Sequence, residues 1–215
     1  MATRVTIAAS VRGRTDQNQS LFVTDADLYE YINAGIRELH RVLVECGQEL
    51  FVTSAASTIT GSSITLASDF WRLRSVDKTA GVGVGSTPIQ LRPFSLQDRY
   101  STELAYRLMA STIDIAPVAD APGTYTVYYV TKPTELSADG TVLPAAYEQY
   151  LDFIEIAASI PIRMKAEESA PEIKIKADMI EAIMASAANR NSGPPEVPPA
   201  QETYHYNSRL HRWYW

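Results

Sequence analysis

The sequence predicts an α+β protein: a helical bundle of a few long helices, a small antiparallel β insertion and an extended C-terminal arm. Three observations carry this. Apolar residues repeat at helical spacing over about 24–46, and again over about 145–167 and 170–190. Between them, over about 50–130, short β-prone pieces alternate with Gly, Pro, Ser and Asp turns. Finally, Pro194, Pro195, Pro198 and Pro199 crowd a stretch that neither a helix nor a ladder strand can hold.

Taken in order, Thr3 is placed to cap a short helix over 4–13, and the loop GRTDQNQS follows. The clearest helix is TDADLYEYINAGIRELHRVLVECG, with Thr24 as N-cap, Asp27 approximating a capping box and Gly47 as the stop. Leu28, Ile32, Ile36, Leu39, Leu43 and Cys46 fall on one stripe, which is therefore buried. The β insertion comprises LFVTSAAST, SSITL, LRSVDKT, PIQLRP, STIDIAP and TYTVYYV, forming a small antiparallel sheet or barrel. Ser68 and Ser95 are natural caps for short helical turns at SDFWRL and SLQDRYSTE. GVGVGSTP is glycine-rich, but Pro88 and a strand follow it instead of a helix, which makes it a mobile hairpin tip and not a phosphate cradle.

After TKPTELSADGTVLP the stripe Tyr147, Leu151, Ile154, Ala158 and Ile162 marks a helix over 145–167. Pro161 inside it should kink or divide it, at about 3 kcal/mol. In the helix over 170–190, Ser169 caps, Pro171 occupies the first turn and Glu172 completes the box. Its predicted buried side is Ile173, Ala177, Ile180 and Met184, with Lys174, Lys176, Asp178 and Glu181 on the solvated side. Residues 1–190 thus read as one domain and 191–215 as an arm without a core of its own.

Composition narrows the function classes. No apolar run approaches the ~20 residues of a membrane span, so no membrane association is expected. The start MATRVTIAASVRGRT lacks a continuous apolar core, so the expectation is folding in a cytoplasm, and the sequon NQS at Asn18 then carries no weight. The single Cys46 allows neither an internal disulfide nor a thiolate cluster and reads as a small buried hydrophobe. The net charge of −6 argues against gripping phosphates and suits a surface past which DNA slides.

Catalysis is not expected, nor is any cofactor or metal. His40 stands without H-x-x-x-H or H-E-x-x-H spacing and reads as a solvated or partly packed side chain; His205 and His211 have too few ligands in reach. There is no G-x-S-x-G elbow, Walker loop or Cys–His pair. Glu167 with Glu168, and Asp25 with Asp27, decorate helix ends. The aromatic tail YHYNSRLHRWYW is different, because exposed rings on a segment outside the core imply a partner.

Several phrases in one order carry a family resemblance: DQNQSLFVTDADLYEYINAGIRELHRVL, ITLASDFWRLRSVD, IQLRPFSLQDRY, IDIAPVADAPGTYTVYYVTKPTEL and LPAAYEQYLDFIEIAASI. Over roughly residues 16–190 the chain resembles the head-to-tail connector (adaptor) proteins of tailed bacteriophages. The resemblance implies a structural virion protein in the neck, a homo-oligomeric and usually dodecameric ring under the portal protein. It further implies a platform for the tail or next neck protein and a channel through which genomic DNA passes without specific binding. The arm implied to dock on the portal includes Tyr204, Tyr206, Arg209, Leu210, His211, Arg212, Trp213, Tyr214 and Trp215, residue types rich in binding hot spots. The insertion is implied to face the tail, with Gly81, Gly83 and Gly85 in a loop that contacts it. Fully extended, residues 191–215 reach up to roughly 80 Å. Two other readings compete: a tail-tubular or tail-completion ring protein, and a nucleic-acid-binding regulator using Arg209, His211 and Arg212 among the aromatics.

Overall fold

The computed structural model describes residues 2–16, 23–47, 49–81, 84–85, 87–94 and 103–191. Helix α1 (Arg4–Arg14) opens on a reciprocal capping box between Thr3 and Thr6 and buries Ile7, Ala8 and Val11. Helix α2 (Asp25–Glu45) starts where the Thr24 hydroxyl accepts the Asp27 N–H at 3.2 Å. Its stripe Leu28, Ile32, Ile36, Leu39 and Leu43 is buried, Cys46 is half-buried at the C-cap, and Gly47 ends the helix in the left-handed region at φ 74°.

Helices α3 (Ala145–Glu148) and α4 (Leu151–Lys165) replace the single helix expected over 145–167. The break falls at Gln149 and Tyr150, and α4 runs through Pro161 undivided. Proline removes only one helix donor there, and the buried Ile160 and Ile162 on either side hold the turn in place. Helix α4 packs closely on α2 at Gly35, where a Cβ would stand 3.2 Å from the Ile154 carbonyl and 3.3 Å from the Ala157 Cβ.

Helix α5 (Glu172–Asn191) departs from expectation in two ways. Its buried residues are Ile183 and Ala187, with Met179 and Ile180 partly covered, whereas Ile173, Ala177 and Met184 are exposed. The reason is that Ile183 and Ala187, with Met179 and Ile180, are the residues that find cover against the helical core, and Lys176 holding Glu38 of α2 at 2.9 and 3.1 Å accompanies that orientation. Glu172 does not close a capping box either: Oε1 accepts from Arg163 Nε at 2.7 Å, and buried Oε2 has no hydrogen-bond partner. One apolar core joins Ile7 and Val11, the α2 stripe, Leu136, Leu143, Tyr147, Phe153, Ile154, Ala158, Ile162 and Ile183. Each such side chain contributes roughly 1.5–3 kcal/mol by burial.

Among the described residues the β region holds eight strands: β1 (Val52–Ile59), β2 (Ser63–Thr65), β3 (Phe70–Gly81), β4 (Ile89–Gln90), β5 (Arg92–Pro93), β6 (Ala105–Leu108), β7 (Thr112–Ala116) and β8 (Gly123–Thr131). They form two four-stranded sheets, β1-β8-β3-β4 and β2-β7-β6-β5, instead of one sheet or barrel. All pairs are antiparallel except β5 with β6. PIQLRP is divided between the sheets at buried Leu91, and Ile59, Ile64, Val76, Ile113, Ile115, Tyr125, Val127 and Tyr129 make a second core. SDFWRL is no helical turn: only Ser68 and Asp69 turn, and β3 begins at Phe70, whose ring meets Tyr129 at 5.6 Å. The turn expected at SLQDRYSTE, with its Ser95 cap, lies outside the described residues except at its end.

Two polar anchors join these parts. Asn33 Oδ1 of α2 accepts the buried Leu136 N–H at 2.9 Å, pinning the connection between β8 and α3 to the helical core. The start of the chain pairs with the same connection: the Leu143 N–H donates to the Ala2 carbonyl at 2.8 Å and the Arg4 N–H to that of Thr141 at 3.2 Å.

Candidate docking surfaces

The glycine loop is placed as a hairpin connection between β3 and β4, which pair through Asp77–Gln90 and Lys78–Ile89. Gly81 belongs to its base: with φ 121°, a Cβ would meet the Pro122 carbonyl at 2.8 Å, so packing demands glycine there. Gly85 lies in open space and Gly83 falls outside the described residues. The arm residues Tyr204, Tyr206, Arg209, Leu210, His211, Arg212, Trp213, Tyr214 and Trp215 also lie outside them.

What the described surface offers is a groove where the helical core meets the β sheets, with a volume of about 830 Å³. Arg37, Glu38 and Arg41 come from α2, Trp71 from β3, and Lys132, Pro133 and Glu135 from the chain after β8. The pairing of β3 with β8 slips between Phe70 and Arg72, and this bulge re-aims Trp71. Its ring stands 4.7 Å from that of His40, with Phe51 on the imidazole at 4.4 Å. Trp71 keeps 39 % of its surface exposed.

His40 is packed more completely than the solvated or partly packed side chain expected from the sequence. It is fully buried, and Nδ1 shares a 2.7 Å hydrogen bond with the Tyr147 hydroxyl while Nε2 has no hydrogen-bond partner. Burial pushes its pKa below the ordinary value, with the Thr131 backbone working more weakly the other way. Burial also pushes the Tyr147 phenol up to about 12, so a neutral pair is locked behind Trp71.

The charges of the groove are partly spoken for. Arg37 holds Glu30 and Glu135, and these hydrogen bonds raise its pKa. Glu38 holds Lys176. Arg41 reaches an exposed Glu45 at 3.4 Å, and Lys132 donates to the Ser68 carbonyl at 2.8 Å. A smaller groove of about 340 Å³ between α2 and α5 shares Glu38 and Arg41 and is lined by Val42, Cys46, Ile180 and Met184 among others. Beside it, Ile173 and Met184 are each more than half exposed, a second apolar stripe on α5.

Such surfaces suit peptide or protein contact. Among the described residues, no group of three or more His, Cys, Asp or Glu is placed to hold a metal, and no helix is long and apolar enough to cross a membrane. Sequence reasoning missed the groove because its members are scattered along the chain. The available signal was Trp71 next to Phe70, two large rings that an extended backbone sends to opposite faces.

No curated protein matches the chain. A family model described as SU10 adaptor protein matches residues 3–195, nearly the whole described fold. The connector resemblance carried by the helix at 24–46, the strand phrases and the helix after Pro144 agrees with that match, and the chain belongs to the SU10 adaptor protein family, a family of phage head–tail adaptors.

Proposed function

We propose that this chain is a structural virion protein that forms a ring, dodecameric as in related adaptors, between the portal and the tail. Residues 1–190 act as one adaptor domain and 191–215 as an arm that docks on the portal. The single observation supporting this is the family match over residues 3–195. The arm carries its anchors at Tyr204, Tyr206 and the run from Arg209 to Trp215, where rigid rings and guanidinium groups bury large area for little entropy. Repetition around a ring multiplies a modest affinity per arm. The glycine loop at Gly81, Gly83 and Gly85 faces the tail or next neck protein. An acidic chain, with a net charge of −6, gives a channel wall to which passing DNA does not adhere. The chain acts without catalysis.

The test is binding of the full chain, and of a version stopped after Gly193, to purified portal rings, followed by electron microscopy of the complex. The full chain is expected to add a ring and the shortened one not to. A ring added equally by both removes the arm from docking; no binding by either removes the portal as partner.

A further inference from the structure

The groove beside Trp71 places a half-exposed aromatic ring and a proline next to the cationic side chains of Arg41 and Lys132. Trp71 and Pro133 are among its lining residues, Arg37 is matched by Glu30 and Glu135, and Glu38 by Lys176. Arg41 makes an exposed ion pair with Glu45 at 3.4 Å and Lys132 donates to the Ser68 carbonyl at 2.8 Å, surface contacts for which an incoming carboxylate can compete. An extended apolar segment carrying a carboxylate is the ligand these groups complement.

This chain has such a segment, tethered close by. Helix α5 runs alongside α2, with Lys176 on Glu38 and with Met184 and Ala187 sharing the smaller groove with Arg41, Glu45 and Cys46. Ala187, about one turn before α5 ends at Asn191, thus shares the smaller groove with Arg41, a residue that also lines the larger one. Shortly beyond comes Pro-Pro-Glu-Val-Pro-Pro, residues 194–199, with Glu202 after it. Proline-rich sequence favours the polyproline II conformation at about 3.1 Å per residue, so these residues span roughly 19 Å. Such segments dock on exposed aromatic rings because little chain entropy is left to lose.

We propose that residues 194–199 dock in the Trp71 groove of their own subunit, prolines against the indole and Pro133, and the Glu196 carboxylate between Arg41 and Lys132. Docking there sets the direction in which residues 200–215 leave the body, and it requires no portal, so it stands or falls apart from the adaptor reading.

Of the three tryptophans, Trp213 and Trp215 are replaced by phenylalanine in the full chain, leaving Trp71 as the sole tryptophan, excited selectively over the tyrosines at the red edge of its absorption. Acrylamide quenching of Trp71 is then compared with that of the same chain carrying Ser at 194, 195, 198 and 199, changes that touch no described element. With the tether supplying a millimolar effective concentration, the groove should be mostly occupied, and the serine chain should quench about two-fold more strongly. Lys132→Glu should raise quenching in the same way, and adding Glu196→Lys to it should restore protection. Equal quenching in the proline and serine chains overturns the proposal. Protection that fades on dilution overturns docking in the chain's own subunit, because it comes from another copy. Protection present only after portal rings are added overturns it as well.

Discussion

Replacing His40 by phenylalanine should remove a pH dependence that the parent chain carries. The imidazole is fully buried and neutral, hydrogen-bonded at Nδ1 to Tyr147 and enclosed by Phe51 and Trp71. Burial lowers its pKa in the folded chain below the 6.5 of the exposed group. Between those two values the unfolded chain binds a proton that the folded chain does not. Stability is therefore full above the unfolded value and falls as pH drops through that window, by at most about 1.4 kcal/mol per pH unit for one proton. The lowered carboxyls of Asp27 and Asp139 lose stability further down, below their ordinary 3.8, and Asp77, raised by burial, acts in the opposite sense. Urea unfolding followed by circular dichroism, from about pH 8 to about pH 5, isolates the His40 share as the difference between parent and variant. His205 and His211 are present in both chains and cancel. The variant also leaves the Tyr147 hydroxyl without its partner, a cost of about 1–3 kcal/mol that does not vary over this range. The reading thus rests on slope and not on level. Identical slopes in the two chains, or a parent that gains stability on acidification where the variant does not, would refute the reasoning.

Asn33→Leu should cost about 1–3 kcal/mol, because the buried Leu136 N–H loses the Asn33 Oδ1 acceptor; chemical unfolding would show it, and a loss below about 0.5 kcal/mol would mean that the connection re-pairs elsewhere. Ile173→Glu with Met184→Glu should leave subunit stability within about 0.5 kcal/mol, since both side chains are more than half exposed. If the α5 stripe is covered when subunits assemble, the same pair should abolish ring formation on portal rings in sedimentation, and an unaffected ring would place the stripe outside the interface.

The helices were legible because their signals are local. Thr3 and Thr24 cap, Gly47 stops, and the α2 stripe is buried as its spacing requires. Helix α5 shows where local signals end. Ile173, Ala177, Ile180 and Met184 make one apolar stripe, while Met179, Ile180, Ile183 and Ala187 make another, and period alone does not say which meets the core. The choice is made by packing against α2 and α4, and the Lys176–Glu38 pair that accompanies it is likewise far apart in sequence and joined only by the fold. The β pieces were likewise visible as strands, but the passage of PIQLRP from one sheet to the other at Leu91 depends on which strands already wait on each side.

The same logic explains why the candidate docking surfaces were harder to see than the core. Apolar spacing in a sequence identifies residues that need covering, and most of these are covered by the chain itself. For a protein whose family works by assembly, the informative residues are the remainder. Trp71, Ile173 and Met184 are large side chains that keep 39 %, 52 % and 55 % of their surface exposed among the described residues. Trp71 is held out by a bulge and backed by a fully buried imidazole, so its exposure follows from the core behind it and not from slack in the strand. A surface ring kept in place by buried partners presents a rigid face that loses little entropy on contact, which makes the groove at the helix–sheet junction a better docking site than an equally apolar side chain on a loop.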